Sequence, residues 1–152
     1  MHFFGNIEAK IDSKGRFFIP VLFRKILLEK AEEKIVLCKD LYQPCLVLIP
    51  MTVWNTELNE LKSKLNKWNP QHQLILRQYV SDVEILNIDT NGRILLPKRY
   101  QELANINNDI RLIGMDDKIE IWAKELTNAP FMDPEEFSAN LFQIMNDNDR
   151  HE

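Results

Sequence analysis

The chain has 152 residues, a hydrophobic fraction of 45% and a formal net charge of −4. This is enough for one ordinary domain or two very small ones, and it excludes a wholly disordered chain. Four glycines are too few for a dinucleotide-binding fingerprint or a phosphate loop, and no apolar stretch approaches the roughly 18–20 residues that span a bilayer. Cys38 and Cys45 are seven residues apart, which fits neither a zinc ribbon nor a disulfide scaffold. We therefore expect a soluble, cytoplasmic protein without metal or cofactor.

The first third of the chain predicts strands around a tight turn, then a short helix and a hairpin. Apolar and polar residues alternate from Ile7 to Asp12, and the run from Asp12 to Gly15 suits a type I turn. Pro20 is suited to the first turn of a helix with an apolar stripe. The expected elements are strands over 7–11 and 16–19, a helix over 21–29, and strands near 35–38 and 46–49.

The middle of the chain has a helical period. Apolar residues step by four, three, four and three, which predicts one continuous helical face made of Trp54, Leu58, Leu61, Leu65 and Trp68. Asn69-Pro70 stops this helix, and a second helix is expected over 71–80. We expect this face to pack as core between the two flanking parts of the chain; an exposed coiled-coil face is the alternative.

The chain then repeats itself at an offset of 77 residues. The segment from Asp89 to Pro97 matches that from Asp12 to Pro20 in its Asp, Gly, Arg and Pro, with three apolar residues between Arg and Pro in both copies. This predicts an α+β fold of two pseudo-symmetric β-hairpin–helix repeats, packed as an intramolecular pair and joined by a helical segment. The expected divisions are a first repeat over 1–52, connecting helices over 53–80, a second repeat over 81–126, and an acidic tail over 127–152 with a peripheral helix and a frayed end over 146–152.

The doubled Asp-x-x-Gly-Arg motif invites two interpretations. In both, the aspartates and glycines build the turns, at Asp12, Gly15, Asp89 and Gly92. Arg16 and Arg93 could simply pair with the aspartates, giving plain charged turns. They could instead project from the turn ends as a paired basic edge that grips phosphates or reaches guanine. Lys10 and Lys14 extend this edge in the first copy, where the second copy has Asn87 and Asn91.

Charge is distributed unevenly along the chain. Residues 8–30 carry +3, whereas residues 131–152 carry −5, and local clusters matter more to a phosphate backbone than the whole-chain balance. No GxSxG, HExxH or SxxK motif is present, and the adjacent carboxylates at 116–117 and 135–136 point apart in a turn or helix. We therefore expect no enzyme and no small-molecule substrate.

The doubled motif, with Phe4-Gly5, Phe23-Arg24, Arg77 and the run from Leu112 to Trp122, closely resembles the MraZ family of bacterial transcription regulators over about residues 1–126. The resemblance implies an AbrB/SpoVT-like swapped-hairpin fold and rings of identical chains. It further implies sequence-specific binding to repeated elements of double-stranded DNA upstream of the division and cell-wall operon, in the nucleoid. The expected DNA-binding residues are Arg16, Arg93, Lys14, Lys10 and Asn91. The alternatives are an AbrB-like antitoxin and a ring-forming scaffold whose basic turns are incidental.

Overall fold

A computed structural model describes residues 1–32 and 34–147 of the chain as a mixed α+β fold with antiparallel strands. The strands are β1 Asn6–Lys10, β2 Arg16–Phe18, β3 Lys34–Lys39, β4 Leu46–Pro50, β5 Glu84–Asn87, β6 Arg93–Leu95, β7 Asp109–Gly114 and β8 Ile119–Ala123. The α-helices are α1 Val21–Glu29, α2 Met51–Lys64, α3 Pro70–Ser81, α4 Lys98–Leu103 and α5 Pro134–Met145, with a 3₁₀ turn at Lys124–Thr127. The α+β class is confirmed, as is the helix predicted over 21–29.

Six strands form one sheet in the order β1-β7-β8-β4-β3-β5. All the neighbouring pairs are antiparallel, and β3–β4 and β7–β8 form the hairpins that the sequence predicts. Strands from the two sequence copies are interleaved, since β1 lies beside β7 and β5 beside β3. The sheet therefore ties the beginning of the chain to residues more than a hundred positions away.

The remaining two strands, β2 and β6, pair with each other as a separate two-stranded ribbon. The strands on either side of the first turn do not pair with each other, because β1 pairs with β7 and not with β2. Only the turn itself is local, closed by a bond from the Asp12 N–H to the Arg16 carbonyl at 2.8 Å. Pairing β2 with β6 places Phe17 opposite Ile94, and both side chains are fully buried. Burial of these two side chains favours the long-range pair.

The main core lies between one face of the six-stranded sheet, the ribbon, and the helices α1 and α4. Alternate residues of the central strands enter it, as a period of two requires. The largest completely enclosed side chains include Phe3, Phe17, Phe23, Leu27 and Tyr100. Phe23 of α1 and Tyr100 of α4 lie at matching positions of the two sequence copies, and each anchors its helix.

A second, smaller cluster lies on the opposite face of the sheet, where α2 covers β3 and β4. Trp54 packs there with Val36, Val47 and Ile49, and its ring stacks on Tyr79 of α3 at 5.3 Å. The prediction that α2 packs as core between the two copies is wrong, since it covers strands of the first copy from outside. Of the predicted face, α2 buries Trp54, and Leu58 is partly buried beside it.

The helix predicted through residue 68 ends at Lys64, with Leu65 in extended backbone. The Asn66 side chain accepts a hydrogen bond from the Trp68 N–H at 2.9 Å, and this local bond competes with continuation of the helix. Asn69 then caps α3 by accepting from the Gln71 N–H at 2.9 Å. Trp68 is 83% exposed and belongs to neither helix face.

The predicted helix of the acidic tail is present as α5, and each of its residues is exposed. The segment that leads into it is fixed by Phe131, whose ring lies 5.0 Å from that of Trp122 on the outer face of β8. Of the frayed end predicted for the tail, residues 148–152 lie outside the described residues. Within the described part of the chain, no helix is long and apolar enough to cross a membrane.

Candidate nucleic-acid interface

Each motif turn is built by its aspartate. In the first turn, Asp12 Oδ1 accepts hydrogen bonds from the N–H groups of Lys14 and Arg16, both at 2.9 Å. Asp12 Oδ2 accepts a further bond from Arg16 Nε at 2.9 Å. The backbone N–H of Arg16 is the largest influence that lowers the pKa of Asp12 below its usual range. The aspartate is therefore held as a carboxylate that organises the turn.

The second turn repeats this geometry atom for atom. Asp89 Oδ1 accepts from the N–H groups of Asn91 at 2.9 Å and Arg93 at 2.8 Å, and Oδ2 accepts from Arg93 Nε at 2.9 Å. The backbone N–H of Arg93 lowers the pKa of Asp89 in the same way. Among the described residues, the terminal nitrogens Nη1 and Nη2 of neither Arg16 nor Arg93 take a protein acceptor. Each arginine thus pairs with its aspartate through Nε, and this pairing leaves its terminal nitrogens uncommitted within the described part of the chain.

The ribbon brings these two arginines to one surface. Arg16 pairs with Leu95, and Arg93 pairs with Phe18, one position to either side of the buried Phe17–Ile94 pair. Directly paired residues and residues two apart share a face, so Arg16, Phe18, Arg93 and Leu95 all point away from the core. We call these four residues the ribbon face. Its two arginines are separated by about 7 Å along the ribbon, from a rise of about 3.4 Å per residue.

The ribbon face combines positive charge with exposed apolar surface. Phe18 is 58% exposed and Leu95 is 54% exposed, because no other helix or strand of the described residues covers them. The guanidinium carbon of Arg93 lies 5.9 Å from the centre of the Phe18 ring, which stacks the cation against the aromatic face. An antiparallel two-stranded ribbon of this kind has the width that the DNA major groove admits.

Each turn is supported by a side chain from the other copy. Arg24 of α1 reaches the second turn, where its Nη1 donates to the Asn91 carbonyl at 3.3 Å. Gln101 of α4 lies beside Gly15 of the first turn, and its Nε2 donates to the carbonyl of Leu96, whose own N–H donates to the Gly15 carbonyl. Residues 24 and 101 differ by 77, the offset of the sequence repeat. The two helices therefore cross over to support each other's turns.

Arg24 is the site residue that sequence reasoning missed. The second turn has asparagines where the first has lysines, which predicts a weaker charge there, but Arg24 supplies a cation from a residue 67 positions away in the chain. Its guanidinium lies in a hollow of about 640 Å³ with Asn87, Thr90, Asn91 and Gly92. The offset of 77 shows in the sequence that Arg24 and Gln101 occupy matching positions of the two copies. It does not show that each side chain reaches the turn of the other copy, which depends on how the two helices cross.

The other predicted site residues differ in their exposure and in the partners that they already have. Lys14 lies in the first turn and is exposed, as a phosphate contact requires. Lys10 ends β1 and its Nζ lies 3.4 Å from Asp109 Oδ1, so part of its charge is balanced within the sheet. Asn91 uses its backbone N–H in the second turn and its backbone carbonyl to accept from Arg24.

One group of potential metal ligands lies far from the motif turns. Asp40, Cys45 and Glu120 each place an oxygen or sulfur atom within 4.8 Å of the others. Burial raises the pKa of the Cys45 thiol far above its usual range. Glu120 already accepts a hydrogen bond from Trp122 Nε1 at 2.9 Å.

Comparison with known proteins identifies the family. A family model described as "MraZ protein, putative antitoxin-like" matches residues 82–131, which contain the second motif turn. A protein of Bacteroides thetaiotaomicron named Transcriptional regulator MraZ is 59% identical over all of this chain and 97% of its own length. The chain belongs to the MraZ family.

Other relatives carry the same name. The Transcriptional regulator MraZ of Phocaeicola vulgatus is 55% identical over all of this chain and 99% of its own length. That of Serratia proteamaculans is 33% identical over 81% of this chain and 80% of its own length. The first two of these relatives match the chain along its whole length, which confirms the expected membership of the MraZ family.

Proposed function

We propose that this MraZ-family protein is a transcriptional regulator that binds specific sequences of double-stranded DNA through the ribbon face. The observation that carries the proposal is the placement of Arg16 and Arg93, both partly exposed, on one surface of the ribbon, each fixed through Nε with its outer nitrogens uncommitted among the described residues. Two arginines at a fixed separation, on a ribbon held by the buried Phe17–Ile94 pair, form a preorganised fork for guanine edges or phosphates.

In this proposal, different residues of the interface contact the bases and the phosphates of the DNA. With the ribbon in the major groove, Arg16 and Arg93 donate to the O6 and N7 atoms of guanine, the commonest specific contact. Phe18 and Leu95, exposed between them, contact the C5 methyl groups of thymine. Lys14 and Arg24 lie beside the two turns and bind flanking phosphates, which fixes the orientation of the ribbon. Asn91 adds a polar contact at the second turn.

The interface is asymmetric within one chain. Lys14 is a side chain of the first turn itself, whereas the cation of the second turn, Arg24, is supplied from α1. A single chain therefore reads an element that is not a palindrome, and several chains joined head to tail read direct repeats. We infer that such an assembly, a ring of identical chains, binds repeated promoter elements in the cytoplasm at the nucleoid. The operon for division and cell-wall synthesis is the expected target.

Selection of bound fragments from a pool of random duplexes tests the proposal. The purified full chain is expected to enrich a short motif that contains guanine and thymine and recurs as direct repeats. Binding is expected to weaken by orders of magnitude between about 50 and 200 mM salt, because each phosphate contact releases counterions. No enrichment, combined with salt-independent retention of DNA, would favour a scaffold whose basic turns are incidental.

A further inference from the structure

The outer face of the sheet carries an apolar groove that no described residue fills. It lies between the strands β3 and β4 and the helices α2 and α3, and its volume of about 750 Å³ is in the range of pockets that hold small organic molecules. Val47, Ile49 and Trp54 contribute buried apolar side chains to it, and Leu74 and Ile75 line it from α3 although both are exposed. The groove is therefore apolar and open to solvent.

Part of the groove is aromatic. The ring of Trp54 stacks on that of Tyr79, with 5.3 Å between their centres and 8° between their planes. Burial raises the pKa of Tyr79, so its hydroxyl stays protonated, and this hydroxyl has no hydrogen-bond partner within the described part of the chain. Aromatic rings bind organic cations through apolar contact and through the attraction of positive charge to the ring face. The stacked pair suits an organic cation as well as a neutral apolar molecule, and the charges around it distinguish the two.

Most charged side chains of the groove already have partners. Lys118 Nζ donates to Glu57 at 2.8 Å, and Asp82 pairs with Arg99 of α4. Lys39 donates to two backbone carbonyls of the loop between β3 and β4, at 3.4 and 3.5 Å. Both lysines that line the groove therefore have acceptors within the chain itself.

Asp40 is a carboxylate of the groove that lacks a counter-ion among the described residues. Its Oδ2 accepts from the N–H groups of Tyr42 at 3.0 Å and Gln43 at 2.9 Å, and no described cation pairs with it. A carboxylate oxygen of Glu120 lies within 4.8 Å of one of Asp40, and Glu120 has no counter-ion in this part of the chain either. Burial first, and then the charges of Glu120 and Asp40, raise the pKa of the Cys45 thiol beside them. The groove therefore carries negative charge that no described cation balances.

We propose that this groove binds a lipophilic organic cation, a small molecule with an apolar body and a single positive charge. The apolar body packs on Val47, Ile49 and Trp54, and the positive charge lies toward Asp40, which supplies the counter-ion. An anion of the same shape would meet Asp40 and Glu120 instead, and like charges at short range repel each other. The groove lies on the face of the sheet opposite to the main core and the ribbon, so this site neither uses the ribbon face nor rests on the proposed DNA binding.

Tetraphenylphosphonium and tetraphenylborate test the proposal, because the two ions carry the same four phenyl groups and opposite charges. Isothermal titration calorimetry of the full chain is expected to show saturable binding of the phosphonium, at least about tenfold tighter than binding of the borate. Equal or tighter binding of the borate would overturn the proposal. Absence of saturable phosphonium binding would also overturn it, and would favour a segment of another protein as the occupant of the groove.

The variant Asp40→Asn tests the role of the unbalanced carboxylate. It removes the charge and keeps a side-chain oxygen for the N–H groups of Tyr42 and Gln43, so the loop should be retained. Phosphonium affinity is expected to fall at least about fivefold. Glu102→Gln, at an exposed position of α4 outside the groove, is the matched control and should leave the affinity unchanged. An equal loss in both variants would mean attraction to the charge of the whole chain and would overturn a site in the groove.

The variant Leu74→Lys tests the location of the site, because it places an ammonium group in the groove. Leu74 is exposed, so the circular dichroism spectrum should be unchanged. Phosphonium binding should be lost, whereas Gln71→Lys, exposed on the same helix outside the groove lining, should retain it. Phosphonium binding that survives in folded Leu74→Lys would place the cation elsewhere on the protein and overturn the proposal.

Discussion

Arg24 and Gly92 are in direct contact, and this contact joins the first helix to the second motif turn. Gly92 has a φ of +84°, and a Cβ at this position would overlap the guanidinium of Arg24. The bond from Arg24 Nη1 to the Asn91 carbonyl holds the same two segments together. The glycine is therefore needed twice, once for its backbone conformation and once to admit a cation that its own turn lacks.

We predict that Gly92→Ala destabilises the fold and weakens DNA binding together. A positive φ costs an L-residue about 1–2 kcal/mol, and the added methyl group displaces Arg24 as well. Urea unfolding should show the loss of stability, and fluorescence anisotropy should show the loss of DNA affinity.

The double variant Gly92→Ala/Arg24→Ala separates the two costs. Removing Arg24 relieves the overlap, so stability should recover in part relative to Gly92→Ala, whereas DNA affinity should not recover. Strict additivity of the two single changes in stability would contradict the contact, because residues that touch are expected to couple.

We predict that Arg16→Ala weakens binding to a preferred duplex by about 1–3 kcal/mol if Arg16 bonds a guanine edge. Arg93→Ala should have an effect of similar size. Both variants should remain folded, because Asp12 and Asp89 keep their bonds to backbone N–H groups without the guanidinium. Circular dichroism checks the fold and anisotropy the affinity. Unfolding of either variant would show that the arginines serve to lock the turns.

Acid should weaken the turns through the two motif aspartates. The pKa of each is lower in the folded chain than the ordinary value of 3.8, chiefly because of the N–H of Arg16 or Arg93. A lowered folded pKa means that the stabilisation is complete above the ordinary value and is lost as the pH falls through the folded one. The melting temperature of the unaltered chain should therefore decrease once the pH is lowered below about 4. The variant Asp12→Asn/Asp89→Asn should have a lower melting temperature at neutral pH and a smaller decrease in acid. An equal drop in both proteins would contradict the role of the carboxylates.

Spacing between promoter elements should matter if several chains bind one duplex. Neighbouring chains on one side of the DNA read elements about one helical turn, or roughly 10 bp, apart. Inserting roughly 5 bp should abolish cooperative binding, and inserting roughly 10 bp should partly restore it. Gel-shift titration of the three duplexes measures this. Equal binding to all three, or a selected site that is an inverted repeat, would count against head-to-tail assembly.

Local signals in the sequence predicted much of the fold. Pro20 and the apolar stripe after it placed α1 at its observed bounds, and the doubled Asp-x-x-Gly-Arg motif located both turns. These features succeed because each depends on bonds between residues at most four positions apart, such as Asp12 to Arg16.

Local patterns in the sequence did not predict strand partners, the end of α2 or the position of Arg24. β2 pairs with β6 because Phe17 and Ile94 are buried together, and no local pattern encodes that partner. The period through Trp68 was continuous, but the side chain of Asn66 bonds the backbone and ends the helix early. Arg24 at the second turn depends on the crossing of two helices, so it could be recognised only once the fold was known.

Competition between a selected duplex and its shuffled sequence, measured by anisotropy for the full chain and for Arg16→Ala/Arg93→Ala, tests the function of the ribbon face most directly. The unaltered chain should prefer the selected duplex by at least about 10³-fold, as specific DNA-binding proteins do. The double variant should bind both duplexes alike while its circular dichroism spectrum is retained. Equal affinity of the unaltered chain for both duplexes, or a preference that survives loss of both arginines, would contradict sequence recognition by this face.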